Sequence, residues 1–204
     1  MKEGRTTGHI EAITGPMFSG KTEELIRRLR REKIGHGKII TFRPDRDNRY
    51  GDSPHLFSHN DQKFKAKIVK ADTKESLEKV KETALEKDPD VIAFDEANFW
   101  HNSLLELCDE LANKHSKRVI VAGLDLNFRG EPFEPMPKIL ALAEYISKET
   151  ARCVKCGKPA RWTQRLVDGD PAPYEDELIV VGSNERYEAR CSDCYERPEK
   201  EESI

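Results

Sequence analysis

The sequence predicts an α/β protein, a mainly parallel sheet flanked by helices, with a small C-terminal domain built around cysteines. Five short apolar runs alternate with helical patterns, and a Gly-Lys-Thr segment stands between the first run and the first helix. Two Cys-x-x-Cys pairs follow late in the chain. Parallel strands need crossovers, which are commonly helices, so this alternation is the signature of a parallel sheet.

The strand-like runs are 9–13, 38–42, 67–69, 91–95 and 118–123. A first helix follows Thr22, with Leu25, Ile26 and Leu29 on its buried stripe and Arg27, Arg28, Arg30 and Arg31 largely toward solvent. Asp72 with Glu75, and Ser103 with Glu106, are spaced to satisfy free amides at the starts of a second and a third helix. Leu104, Leu107, Cys108 and Leu111 form the apolar stripe of the third, where Cys108 is a small core residue with no chemistry. Between 43 and 66 the pattern fades into Pro, Asp, Asn, Ser and Gly, which predicts a functional loop or flexible hairpin.

After Thr150 the composition changes to cysteine pairs, short β-like pieces and prolines. The expected division is a nucleotide-binding domain over 1–149, a cysteine domain over 150–195 and a disordered tail over 196–204. With 204 residues, one main core plus an appendage is the natural size.

A charged fraction of 36% predicts a heavily solvated surface. The net charge of -3, without a long basic run, argues against a nucleic-acid partner. No apolar stretch approaches the roughly 20 residues of a membrane helix, and 1–7 is polar, so no membrane partner and a cytoplasmic location are expected. Five cysteines in such a chain read as ligands or core thiols rather than disulfides.

Gly15, Pro16, Met17, Phe18, Ser19, Gly20, Lys21 and Thr22 fit the phosphate-loop pattern G-x-x-x-x-G-K-[ST], directly after a strand and opening a helix. Its glycines let backbone amides face phosphate oxygens, and the helix N-terminus adds positive potential. Lys21 reaches the β and γ phosphates and Thr22 holds Mg²⁺, so a nucleoside triphosphate with Mg²⁺ is the expected ligand and the fold is P-loop NTPase-like.

Asp95 and Glu96 end the apolar run Val91 to Phe94, at the carboxyl edge where open α/β sheets bind ligands. Asp95 supports Mg²⁺, directly or through water. Glu96 either orients a water, as in an ATPase, or accepts a proton from a substrate hydroxyl, as in a kinase, and its neighbours do not choose. Two carboxylates at a strand end could also simply cap a following helix.

Cys153, Cys156, Cys191 and Cys194 can share one tetrahedral ion, and a structural Zn²⁺ is expected. The segment 157–190 between the pairs exceeds the common ribbon spacing of about 15 to 20 residues, so it must loop out. A redox reading is weaker, since neither pair lies in a βαβ context.

Taken together, the phosphate loop, Asp95-Glu96-Ala97-Asn98-Phe99, the segment from Gly123-Leu124-Asp125 to Glu131-Pro132-Phe133 and the cysteine quartet resemble the type II thymidine kinase family over about residues 9 to 195. The resemblance implies a kinase that moves the γ-phosphate of ATP to the 5′-hydroxyl of thymidine, and of deoxyuridine, in deoxynucleoside salvage. It makes Glu96 the general base and turns the insertion of the zinc-binding domain into a lasso loop over the base. It implies that Met17, Phe99, Leu124, Phe128 and Phe133 line the base pocket and that Thr163 sits near the thymine methyl. Leu178, Val180, Val181 and Gly182, with Tyr187, belong to the lasso, and Arg49 and Asn98 to the nucleotide site. A homotetramer with dTTP as a feedback ligand is likewise implied.

Asn98, Trp100 and Ser183 depart from the family pattern, where glutamine, phenylalanine and glycine are usual. Arg129 and Arg165 are lesser candidates for charge stabilisation. Two rival classes keep the phosphate loop: a zinc-bearing ATPase acting on nucleic acid, which the -3 charge disfavours, and a nucleotide sensor, which needs no base at Glu96.

Overall fold

A computed structural model describes residues 8–46, 53–57, 62–178 and 187–200. The elements run β1 (His9–Thr14), α1 (Lys21–Ile34), β2 (Ile39–Pro44), β3 (His55–Phe57), β4 (Lys63–Lys65), β5 (Lys67–Val69), α2 (Lys74–Lys87) and β6 (Val91–Phe94). There follow α3 (Leu104–Asn113), β7 (Arg118–Gly123), α4 (Met136–Leu142) and β8 (Tyr145–Lys148). The C-terminal part holds β9 (Ala151–Arg152), β10 (Pro159–Ala160), β11 (Trp162–Val167), β12 (Asp170–Pro171) and β13 (Tyr187–Arg190).

The main sheet has six strands in the order β5-β2-β6-β7-β1-β8, every neighbouring pair parallel. Its central strands β6 and β7 read as nearly continuous apolar runs because both faces are covered. The period of two sorts them: Ile10, Ala12, Ile92, Phe94, Val119 and Val121 face α2, α3 and α4. Ile13, Val91, Ala93, Ile120 and Ala122 meet Leu25, Ile26 and Leu29 of α1 and Leu56 of β3. Within the stretch read as a loop or hairpin, β3 and β4 do pair as an antiparallel hairpin.

The helix starts need correction. Thr73, not Asp72, caps α2, its side chain accepting from the Ser76 amide at 3.1 Å. Ser103 precedes α3 but caps nothing, because its hydroxyl meets Nδ1 of His101 at 2.8 Å. Cys108 is fully buried and burial pushes its thiol far up, which keeps it an inert core residue.

Arg28 is also not a solvated arginine. Its guanidinium donates to Glu11 at 2.6 Å, to Glu24 at 2.8 Å and to Ser147 at 2.6 Å, while Arg118 reaches Glu11 at 2.6 Å from β7. Glu11 thereby ties β1 to α1 and β7, and Arg28 extends the link to β8 through Ser147. Burial opposes its ionisation, but the Arg118 guanidinium, with His9 and Arg28, outweighs that and holds the carboxyl below its ordinary value. Hydrogen bonds from Arg27, against a burial cost and with help from Arg28, hold Glu24 down to about 2.

Glu11→Ala removes the carboxylate that two partly buried guanidinium groups share, leaving Arg28 with Glu24 and Ser147 and Arg118 with Glu32, and we expect a loss of about 2 kcal/mol in urea unfolding. The sign with pH follows from depressed carboxyls. The stabilisation is complete above the unfolded value near 4.5 and is lost as pH falls through the folded values, toward about 2 for Glu24. Thermal midpoints should therefore fall between pH 4.5 and about 2, less steeply in Glu11→Gln.

The C-terminal part is a set of small antiparallel pairs, β9 with β10 and β11 with both β12 and β13. The segment expected to be a disordered tail begins, by contrast, with Glu196 held by the fully buried Gln164, whose amide bonds its backbone at 2.8 and 3.0 Å. Among the described residues no helix is long and apolar enough to cross a membrane.

Candidate active site

Parallel strands put their carboxyl ends on one edge, and there the two acidic and phosphate-type motifs meet. After β1 the chain turns through Gly15 with φ 140°, Phe18 with φ 64° and Gly20 with φ 85° before entering α1. Gly15 tolerates no side chain, since a Cβ would stand 2.3 Å from the Glu149 carbonyl. Gly20 occupies the N-cap of α1 without a side-chain cap bond, at the helix end whose dipole favours an anion. Lys21 Nζ donates to the Pro16 carbonyl at 2.7 Å, folding the ammonium back over the loop.

β6 carries the carboxylates to this point. The Thr22 hydroxyl donates to Asp95 Oδ2 at 3.1 Å, and Asp95 Oδ1 accepts the Glu96 amide at 3.0 Å. Glu96 is half-buried with φ 49° and ψ 49°, a left-handed conformation that costs a non-glycine residue about 1–3 kcal/mol. Trp100, one of the departures, holds that turn: its indole donates to the Asp95 carbonyl at 2.9 Å while its ring packs edge-on against Phe94 at 5.2 Å. Asn98, another departure, is 4% exposed, and its Oδ1 accepts the Leu124 amide at 3.0 Å. It braces the loop after β7 from inside.

The residues expected around a base are brought together in part. Thr163 on β11 accepts the Met17 amide at 3.0 Å, which joins the phosphate loop to the C-terminal part. Phe18 packs against the small core of Ala151, Cys153, Ala160, Ala189 and Cys191, a second such join. Phe128, Phe133 and Tyr187 are buried, Phe99 and Leu124 half-buried, and Leu178 is exposed. Arg49, Val180, Val181, Gly182 and Ser183 lie outside the described residues.

Arg129 and Arg165, the lesser candidates for charge stabilisation, bond the segment before the lasso. Arg165 bonds the Glu177 carbonyl and pairs with Asp176 at 2.8 Å. Arg129 donates to the Asp176 carbonyl at 3.0 Å and lies 4.5 Å over the Tyr174 ring. Tyr174 in turn donates to Glu131 at 2.6 Å. Together they fasten 174–177 onto the loop after β7. Sequence reading also passed over Asp125, which is 7% exposed at the carboxyl end of β7 and pairs with Lys148 at 2.7 Å. Its signal was a carboxylate two residues past a buried strand.

The four late thiols are free, and their sulfurs all lie within 4.8 Å of one another. Cys156 Sγ stands 3.5 Å from Cys191 Sγ and 3.6 Å from Cys194 Sγ. Four sulfurs bonded tetrahedrally to one ion at about 2.3 Å would sit about 3.8 Å apart, so the quartet fits a metal such as zinc. Thr22 and Asp95 likewise offer the oxygen donors that a hard Mg²⁺ requires.

Fold and site thus define a P-loop-like α/β protein whose phosphate loop faces a carboxylate pair and leans on a cysteine-quartet module. A family model described as thymidine kinase matches residues 8–195. A thymidine kinase of Halobacterium salinarum is 46% identical over 189 residues, which cover 93% of this chain and 94% of that protein. The chain belongs to the thymidine kinase family.

Proposed function

We propose that this kinase transfers the γ-phosphoryl group of ATP to the 5′-hydroxyl of thymidine, and of deoxyuridine, with Glu96 as general base. The observation that carries the reading is the 3.1 Å bond between Thr22 and Asp95, which sets the phosphate loop and the Asp95–Glu96 pair at one point of the sheet edge. The family match over 8–195 supplies the acceptor class.

Lys21 and the amides from Gly15 to Thr22 hold the triphosphate and face the charge that grows on the γ-phosphoryl group in a loose transition state. A Mg²⁺ held by Thr22 and Asp95 would neutralise phosphate charge there. Glu96 orients the acceptor hydroxyl and takes its proton late in the transfer. Its left-handed backbone fixes the carboxylate before substrate arrives, and Trp100 and Asp95 keep that turn in place. Met17, Phe99, Leu124, Phe128, Phe133 and Thr163 form the slot for a flat pyrimidine, closed by Leu178 to Gly182 and Tyr187. Arg49 and Asn98 complete the nucleotide side, and the cytoplasm, which supplies both substrates, is the working compartment.

Zn²⁺ at the quartet is structural and fastens the module on which Phe18 and Thr163 depend. Cys156→Ser should lower bound zinc from about one ion per chain, reduce the melting temperature and weaken thymidine binding. Elemental analysis and calorimetry check this; full zinc content with unchanged melting would contradict it.

The substrate range is tested by supplying ATP and Mg²⁺ with thymidine, deoxyuridine, deoxycytidine or deoxyadenosine and measuring nucleoside monophosphate. Product from the first two alone is expected. ADP formation without any nucleoside would instead favour the ATPase class.

A further inference from the structure

The residues after the last cysteine close over the loop that carries Phe128. Gln164 takes the backbone of Glu196 from both sides, Nε2 donating to its carbonyl at 3.0 Å and Oε1 accepting its amide at 2.8 Å. This sets the Tyr195 ring on Trp162, centroids 4.8 Å apart and planes within 7°. From there the Tyr195 hydroxyl donates to the Phe128 carbonyl at 2.7 Å. Arg197 reaches the Gly130 carbonyl at 3.4 Å. The fit is close: a Cβ on Gly130 would stand 2.9 Å from Arg197 and 3.1 Å from both Trp162 and the Tyr195 hydroxyl. The Phe128 ring also lies 5.4 Å from the guanidinium groups of both Arg129 and Arg165.

We propose that Tyr195 is a positioning residue for the nucleoside: its bond to the Phe128 carbonyl fixes the Phe128 ring as a wall of the base pocket, so the 195–197 segment governs thymidine affinity and leaves ATP affinity alone. The inference rests on the reading of Phe128 as pocket wall. A wall residue on a loop must be ordered either before or during binding, and ordering it beforehand removes that entropy from the binding step. Gln164, Trp162 and Tyr195 provide this order without themselves bonding the phosphate loop, although Thr163 between the first two accepts the Met17 amide. The bond is one neutral hydrogen bond, so its loss should weaken thymidine by about 3- to 10-fold.

The test is steady-state kinetics on the full chain with Tyr195→Phe, which removes only the hydroxyl, and Tyr195→Leu, which also removes the stack on Trp162. We expect the thymidine KM to rise about 3- to 10-fold in the first and further in the second. The ATP KM, kcat at saturation and zinc content of Tyr195→Phe should stay within about twofold of wild type. A merely structural role would lower the melting temperature without separating the two KM values. An unmoved thymidine KM in Tyr195→Phe, or equal rises for both substrates, would overturn the inference while leaving the thymidine reading intact. A wild-type protein that phosphorylates no pyrimidine nucleoside would overturn the reading beneath it. Should Tyr195→Leu fail to fold, Tyr195→Phe decides alone.

Discussion

Lys21→Met lowers turnover by at least about 10²- to 10³-fold, the cost of removing one preorganised charge from a site where negative charge develops. Methionine keeps the length of the lysine stem and stays compatible with the first turn of α1, which Lys21 opens. The Lys21 ammonium already sits over the loop, 2.7 Å from the Pro16 carbonyl. The loss should therefore appear in kcat and in the ATP KM together, with thymidine binding by calorimetry close to wild type. A variant with wild-type turnover would remove Lys21 from the chemistry. Circular dichroism and zinc content should be unchanged, since Lys21 lies outside the apolar cores on both faces of the sheet.

Glu96→Gln is expected to cost about 10²- to 10⁴-fold in kcat, the usual contribution of a positioned base, with both KM values near wild type. Glutamine fits the same half-buried position and the same left-handed backbone, so geometry survives while the proton acceptor is lost. The distinction from a carboxylate that only caps the short turn at Ala97–Phe99 is sharp. The Glu96 side chain makes no cap bond to that turn, so a purely structural role predicts little change in either rate or stability. Wild-type turnover in Glu96→Gln would assign the base elsewhere.

How much of this was legible in the sequence follows from what each feature depends on. β6 and β7 were readable because strands buried on both faces are almost wholly apolar. The phosphate loop was readable because its residue types, spacing and flanking elements all answer to one ligand. β8 was missed: Tyr145 and Ile146 are 61% and 52% exposed, so it alternates with nothing and owes its place to pairing with β1. α4 was missed for its brevity and for the prolines at its start.

The cap of α2 fell one residue from its expected position because Thr73 and Asp72 are both good caps, and only backbone geometry chooses between them. Arg28 looked like its neighbours on the helix, yet side chains from β1 and β8 converge on it alone. Contacts of this kind, like those of Thr163 with Met17 and of Tyr195 with Phe128, join residues between 17 and 146 positions apart and leave no local pattern. The strained backbone of Glu96 is invisible for the same reason, since glutamate carries no preference for a positive φ.

The central claim, that the phosphate loop and Glu96 pass a phosphoryl group to thymidine, is tested most directly by supplying ATP labelled at its γ-phosphate together with Mg²⁺ and thymidine. The account predicts label in dTMP, equal in amount to the ADP formed and absent when thymidine is omitted. Label released as inorganic phosphate at the same rate with and without thymidine would contradict it.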